Sequence, residues 1–185
     1  MEFDAIVLAG GSAKRLGGVD KAELVIGGKR LLDRVLDAVG AADNVVVVGP
    51  ERDTTRPVIW TREAPAGGGP VAALAAGLPE TISELVVVLA VDLPEITART
   101  VASLVAAAHG DGAVLVDHSG RDQILAAAYR RTELARRLDG LGTGAGVALR
   151  DVVAGMALAR VAAEGAARDC DTWDDVAAAR RDLGD

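Results

Sequence analysis

The chain has 185 residues, half of them hydrophobic but only 2% aromatic, with a net charge of −7 and a single cysteine, Cys170. That length suits one domain with a substantial core, built here from Val, Leu, Ile and Ala, as in a parallel sheet covered by helices. The net acidity argues against a nucleic-acid or anionic-membrane surface, and one cysteine excludes a disulfide framework or a cysteine metal cluster.

Phe3-Asp4-Ala5-Ile6-Val7 reads as a buried strand that runs into a glycine-rich loop, Leu8 to Lys21. Glu23 to Ile26 is a short extended piece, and Leu31, Leu32, Val35, Leu36 and Val39 recur at helical spacing before Gly40. Asn44 to Gly49 is a second strand and Pro57 to Trp60 a shorter third. Gly67-Gly68-Gly69-Pro70 opens a helix to Gly77, and Leu85 to Val91 is the strongest strand, ending in Asp92-Leu93-Pro94. Thr97 can cap a helix to Ala108, with Gly112 to Val116 the next strand. The alternation of strand and helix predicts an α/β, Rossmann-like, doubly wound and mostly parallel sheet. Beyond it, Ile124 to Tyr129 reads as a strand, Thr132 to Leu138 and Val147 to Ala154 as helices, and Leu158 to Val161 as a strand. Trp173 to Leu183 is a closing amphipathic helix capped by Asp171 or Thr172. No long linker is visible, so residues 1–185 are expected to form one domain, with a first half at 1–116 and a closing half at 117–185 that completes a second substrate pocket. No segment reads as a signal peptide or a membrane span, and a cytoplasmic protein without membrane or nucleic-acid partners is expected.

The loop at 8–21 carries the strongest chemical signal. Glycines let backbone N–H groups turn inward as an anion nest, and this loop holds Lys14, Arg15 and Lys21, two of the three lysines of an acidic chain. It is not a Walker loop, because Lys21 sits between Asp20 and Ala22, and it lacks the G-x-G-x-x-G spacing of the dinucleotide fingerprint. Asp92, at the carboxyl end of the strongest strand, stands where open α/β sheets bind ligands, and a carboxylate there beside a polyphosphate suits Mg²⁺. As a turn or cap residue before Pro94 it would need no metal.

Leu8-Ala9-Gly10-Gly11, followed by Arg15-Leu16-Gly17-Gly18-Val19-Asp20-Lys21, resembles the signature of the nucleoside-triphosphate transferases, and most closely the molybdenum cofactor guanylyltransferases. Asp92-Leu93-Pro94 resembles that family's metal-binding Asp-x-Pro, and Asp169 to Val176 its closing motif, which implies a second metal contact from Asp169 or Asp171. Helix capping alone would also account for Asp171. Gly67 to Leu74 is similar to the Gly-Pro loop that approaches the base and sugar, and Gly120 to Arg130 to a region on the pterin side of the cleft. The resemblance thus implies nucleotide binding by Leu8, Ala9, Gly10, Gly11, Ser12, Lys21, Gly69 and Pro70. It implies catalysis by Arg15, Lys21 and Asp92, metal binding by Asp92 with Asp169 or Asp171, and acceptor contacts from Arg121, Gln123, Arg130 and Arg150. The expected reaction is in-line transfer of GMP from GTP, with Mg²⁺, to the phosphate of a molybdopterin-type acceptor, releasing pyrophosphate, with transient docking to molybdenum-cofactor assembly proteins.

The match has departures. Gly49-Pro50-Glu51 and Thr61-Arg62-Glu63 stand where one branch of the family has an Asn and an Asp near the guanosine, Ile124 stands for a Pro, Ala148 for a Ser and Trp173 for a Pro. They leave open a cytidylyl- or other nucleotidyltransferase acting on a different phosphorylated small molecule. A nucleotide-binding regulator without turnover is a further alternative.

Overall fold

The Val- and Leu-rich runs become strands of a layer covered on both faces. In the computed structural model, which describes residues 1–10, 16–163, 165–166 and 168–184, Asp4–Leu8 forms β1 with all five residues buried. The hairpin of Val25–Ile26 (β2) and Lys29–Arg30 (β3) precedes the helix Leu31–Ala38 (α1). Val45–Val48 (β4), Ile59–Thr61 (β5), Pro70–Gly77 (α2) and Leu85–Ala90 (β6) follow. The second half adds Ala98–Ala107 (α3), Gly112–Val116 (β7), Asp122–Arg130 (β8), Arg131–Leu138 (α4), Leu149–Val153 (α5), Leu158–Ala162 (β9) and Trp173–Leu183 (α6).

The central strands run in the order β5-β4-β1-β6-β8. The first four are mutually parallel, and β8 is antiparallel to β6, with Leu85 opposite Arg130 and Leu89 opposite Ala126. A parallel β7–β9 ribbon extends the layer past β8. The Arg130 amide donates to Asp111 O at 2.8 Å and the Asp117 amide to Arg121 O at 3.0 Å, the two ends of the β7–β8 contact. The sheet is thus mostly parallel, as expected, but β7 does not take the place beside β6. A short turn at 117–121 joins β7 to β8, too few residues for a parallel crossover, so β8 must return antiparallel. Asp117 holds that turn, its carboxylate accepting from Ser119 N at 2.8 Å, Arg121 N at 3.0 Å and Gln123 Nε2 at 2.7 Å.

The two-residue period of the strands separates two cores. Ala5, Val7, Val45, Val47, Val87 and Leu89 face α1 and α3, while Ile6, Leu8, Val46, Val48, Val86 and Val88 face α2, α4 and α5. A third, smaller cluster of Leu16, Leu24, Ile26, Leu31, Cys170, Val176 and Ala179 packs α6 over the β2–β3 hairpin. That cluster brings the segment before α6 to the carboxyl ends of β1 and β6.

Candidate active site

The site grows from the carboxyl ends of two adjacent strands. β1 runs out into Ala9 and Gly10, and β6 into Val91 and Asp92, with the Val91 amide on Leu8 O at 3.0 Å. Gly49, after β4, lets the chain pass against this turn, since a Cβ there would sit 2.8 Å from Ala9 C and 2.9 Å from Gly10 N. Gly11, Ser12 and Arg15 lie outside the described residues. Where the loop resumes, Asp20 caps a 3-10 turn at Lys21–Glu23, its Oδ1 accepting from Ala22 N at 3.1 Å. Arg52 grips the other oxygen of Asp20, through Nε at 2.8 Å and Nη2 at 2.7 Å.

Thus fixed at its backbone, Lys21 reaches into the cleft. Its Nζ donates to Asp92 Oδ2 at 2.7 Å and to Asp171 Oδ1 at 2.5 Å. The Lys21 and Asp92 side chains are each 18% exposed and that of Asp171 45%. Burial disfavours the charged amine, but the Asp92 charge and the bonds to both carboxylates outweigh it and hold the Lys21 pKa above its ordinary value. Asp171 is brought here by the backbone. The Cys170 amide donates to Asp92 O at 3.0 Å, and the buried Cys170 thiol, pushed up to about 12 by desolvation and nearby carboxylates, is chemically inert. The cap of α6 falls to Thr172, in a reciprocal box with Asp175, while Asp171 Oδ1 turns to Lys21. Desolvation, then the charges of Asp171 and Asp92, raise the Asp169 carboxyl above its ordinary range.

Two carboxylates converging on one cationic point match the needs of a hard divalent ion that takes one or two protein carboxylates and completes its shell with phosphate oxygens and water. Among the described residues, no group of three or more His, Cys, Asp and Glu forms an all-protein cage. Asp92 and Asp171 therefore fit Mg²⁺ only with a phosphorylated ligand beside them.

Leu8, Ala9, Gly10, Lys21 and Asp92 line a cavity of about 290 Å³, whose other wall is Gly69 and Pro70 at the start of α2 and Leu125 of β8. Glu63, which the sequence marks only as a departure, also lines it. Its residue is 9% exposed. Oε1 accepts from Gly67 N at 3.0 Å, while the buried Oε2 has no partner among the described residues. A carboxylate a few residues ahead of a glycine–proline loop was the available signal.

The expected acceptor residues are not brought to this cavity. Gln123 is tied by its amide to Asp117, and Arg121 is exposed on the same turn. Arg150 is 82% exposed beside Asp151. Arg130 pairs with Leu85, the first residue of β6, and so lies at the opposite end of the sheet from Asp92.

Comparison with known proteins adds a second line of observation. A family model described as the MobA-like NTP transferase domain matches residues 5–161. A probable molybdenum cofactor guanylyltransferase of Mycobacterium marinum is 36% identical over 145 residues, covering 74% of this chain and 71% of that protein. One from Synechococcus elongatus is 39% identical over 104 residues, 52% of this chain and 53% of that protein, so the match spans about half of that relative. Molybdopterin-guanine dinucleotide biosynthesis protein A from Archaeoglobus fulgidus superposes with a TM-score of 0.74 at 20% identity, covering 96% of this chain and 97% of that one. 2-C-methyl-D-erythritol 4-phosphate cytidylyltransferase from Thermus thermophilus gives 0.75 at 20% identity, covering 99% of each chain. At such identities the likeness speaks to the fold alone.

Proposed function

Because this chain belongs to the MobA-like NTP transferase family, we propose that it is a guanylyltransferase that moves GMP from GTP to the phosphate of a molybdopterin-type acceptor. Nucleotidyl transfer is the chemistry of the family. The choice of guanine is carried by one observation, the buried Oε2 of Glu63 in the cavity wall, which has no partner among the described residues. Guanine presents two adjacent N–H donors on its pairing edge, which a carboxylate can accept together. Cytosine offers one donor beside an acceptor, so it would leave Glu63 facing a lone pair. A site whose buried polar groups go unpaired discriminates strongly against the wrong ligand.

In this reading Gly69 and Pro70 border the base, and the backbone from Leu8 through Gly11 and Ser12 cradles the phosphates. Lys21 neutralises charge that builds at the α-phosphate, and Arg15 that on the leaving pyrophosphate. Asp92 and Asp171 would hold Mg²⁺, which would supply positive charge to stabilise the phosphate oxygens. The acceptor oxygen attacks phosphorus as the bond to the pyrophosphate oxygen breaks, so no nucleophilic side chain is required, and catalysis is positioning plus electrostatics.

The test is pyrophosphate release from purified protein given Mg²⁺, molybdopterin and each of the four nucleoside triphosphates in turn. Release with GTP alone is expected, and turnover with CTP would overturn the guanylyl assignment. Glu63→Gln, which replaces one acceptor oxygen by a donor, is expected to lower kcat/KM for GTP roughly ten- to a hundredfold, the worth of one charged hydrogen bond.

A further inference from the structure

We infer that Lys21 is the resident counter-ion of the metal position, so that the free protein resists a bare divalent cation and accepts one only together with a nucleotide. The inference rests on the proposed nucleotidyl-transfer reading and adds an order of binding to it. Asp92 and Asp171 belong to separate segments, one after β6 and one before α6, and they meet at a single atom, the Lys21 ammonium, at 2.7 and 2.5 Å. That atom occupies the point between the two carboxylates at which a shared cation would be drawn. Lys21 takes Asp92 Oδ2 and Asp171 Oδ1, so a divalent ion held by the same two carboxylates would lie within a few ångströms of the ammonium and meet its full like charge.

The arrangement resists the swap. Asp20 and Arg52 hold the backbone behind Lys21, and with Lys21 and Asp92 each only 18% exposed, solvent screens the pair weakly. A bare cation entering the site would have to displace the ammonium or sit beside it, leaving a largely buried positive charge facing another. A nucleotide changes this, because its phosphate gives the ammonium a new anionic partner and the metal its further oxygens. Lys21 thus has two stations, the carboxylates in the free protein and the phosphate in the complex, and metal and nucleotide enter as one unit.

The decisive measurement is Mn²⁺ binding to the free protein, without nucleotide, by calorimetry or water-proton relaxation. Lys21→Gln and Lys21→Met remove the charge and are expected to bind Mn²⁺ roughly tenfold or more tightly than the parent, since a like charge a few ångströms away is gone. Lys21→Arg keeps the charge and is expected to bind as weakly as the parent. Adding Asp92→Asn to Lys21→Gln should abolish the gain. Equal or weaker affinity in the Gln and Met variants, with circular dichroism showing them folded, would overturn the inference, as would a gain that survives Asp92→Asn. Because no nucleotide is present, this outcome is separate from the pyrophosphate assay, whose failure would instead strike the transferase reading.

Discussion

Two buried carboxylates show how the same chemical group serves opposite ends. Asp4 opens β1 and is fully buried, yet its oxygens accept four bonds: Asn44 N at 3.1 Å, Asn44 Nδ2 at 3.0 Å, Ile82 N at 2.6 Å and Ser83 N at 2.9 Å. It stitches the start of β1 to the segments before β4 and β6. Glu63 has an oxygen with nothing to satisfy it among the described residues. A filled carboxylate is structural, and an unfilled one in a cavity asks for a ligand. The role of Asp4 is not legible in sequence, because its partners lie 40 and 78 positions away, whereas the position of Glu63 ahead of the glycine–proline loop was a signal. Burial alone would raise the Asp4 pKa, but the Ser83 and Ile82 amides and the Asn44 side chain overcome it, and the carboxyl is held below its ordinary 3.8. Its contribution is therefore present above the unfolded-state value and fades as pH falls through the lower folded-state value. Asp4→Asn, which turns donors toward donors, is expected to cost about 2–4 kcal/mol in urea denaturation near neutral pH. The gap to the parent should narrow below about pH 4, and a constant gap would contradict this account.

At the scale of elements, α6 illustrates what local signals can and cannot fix. Thr172, Trp173 and the charged face mark the helix start in the sequence, and the helix begins at Trp173 as read. The choice between Asp171 and Thr172 as cap needed the fold, since either side chain can reach a free helix amide. Thr172 takes it, accepting from Asp175 N at 3.2 Å while Asp175 Oδ2 accepts from Thr172 N at 2.8 Å and Asp171 N at 3.2 Å. The cap therefore also orients the Asp171 backbone. Thr172→Ala is expected to lower stability by about 1 kcal/mol, a typical cap loss, and to slow pyrophosphate release by a larger factor than that loss explains. Turnover at the parent rate in the folded variant would show that Asp171 is placed without the cap. The parallel half was legible for a simpler reason. β1, β4 and β6 are buried apolar runs that lead to Gly10, Gly49 and Asp92, and buried strands are continuous in hydrophobicity, while the short β5 is marked by Pro57 before it. β8 was legible as a strand but not in direction, because pairing follows from the length of the turn after β7 rather than from its own residues.

At the scale of the molecule, that antiparallel strand ties the second part of the chain to the first. The sequence invites a division near residue 116, but β8 pairs with β6 along Leu85 to Leu89 and supplies Leu125 to the cavity. The cluster under α6 joins Val176 and Ala179 to Leu16, Leu24 and Ile26, so the end of the chain also closes its beginning. Neither half owns a complete core. A fragment of residues 1–116 would expose the edge of β6, an unbroken apolar strand and thus a template for aggregation, and would strip the cover from the β2–β3 hairpin. Such a fragment is expected to be unfolded or aggregated, and the complete chain to unfold in one transition, with coincident near- and far-ultraviolet circular dichroism. A fragment that folds alone, or two separated transitions in the full chain, would show two autonomous units instead. The functional consequence runs the same way. Lys21, Asp92 and Asp171 come from the start, middle and end of the chain, and their meeting point exists only when all of it is folded. Activity is therefore expected to disappear along the same denaturation curve as the near-ultraviolet signal, rather than ahead of it.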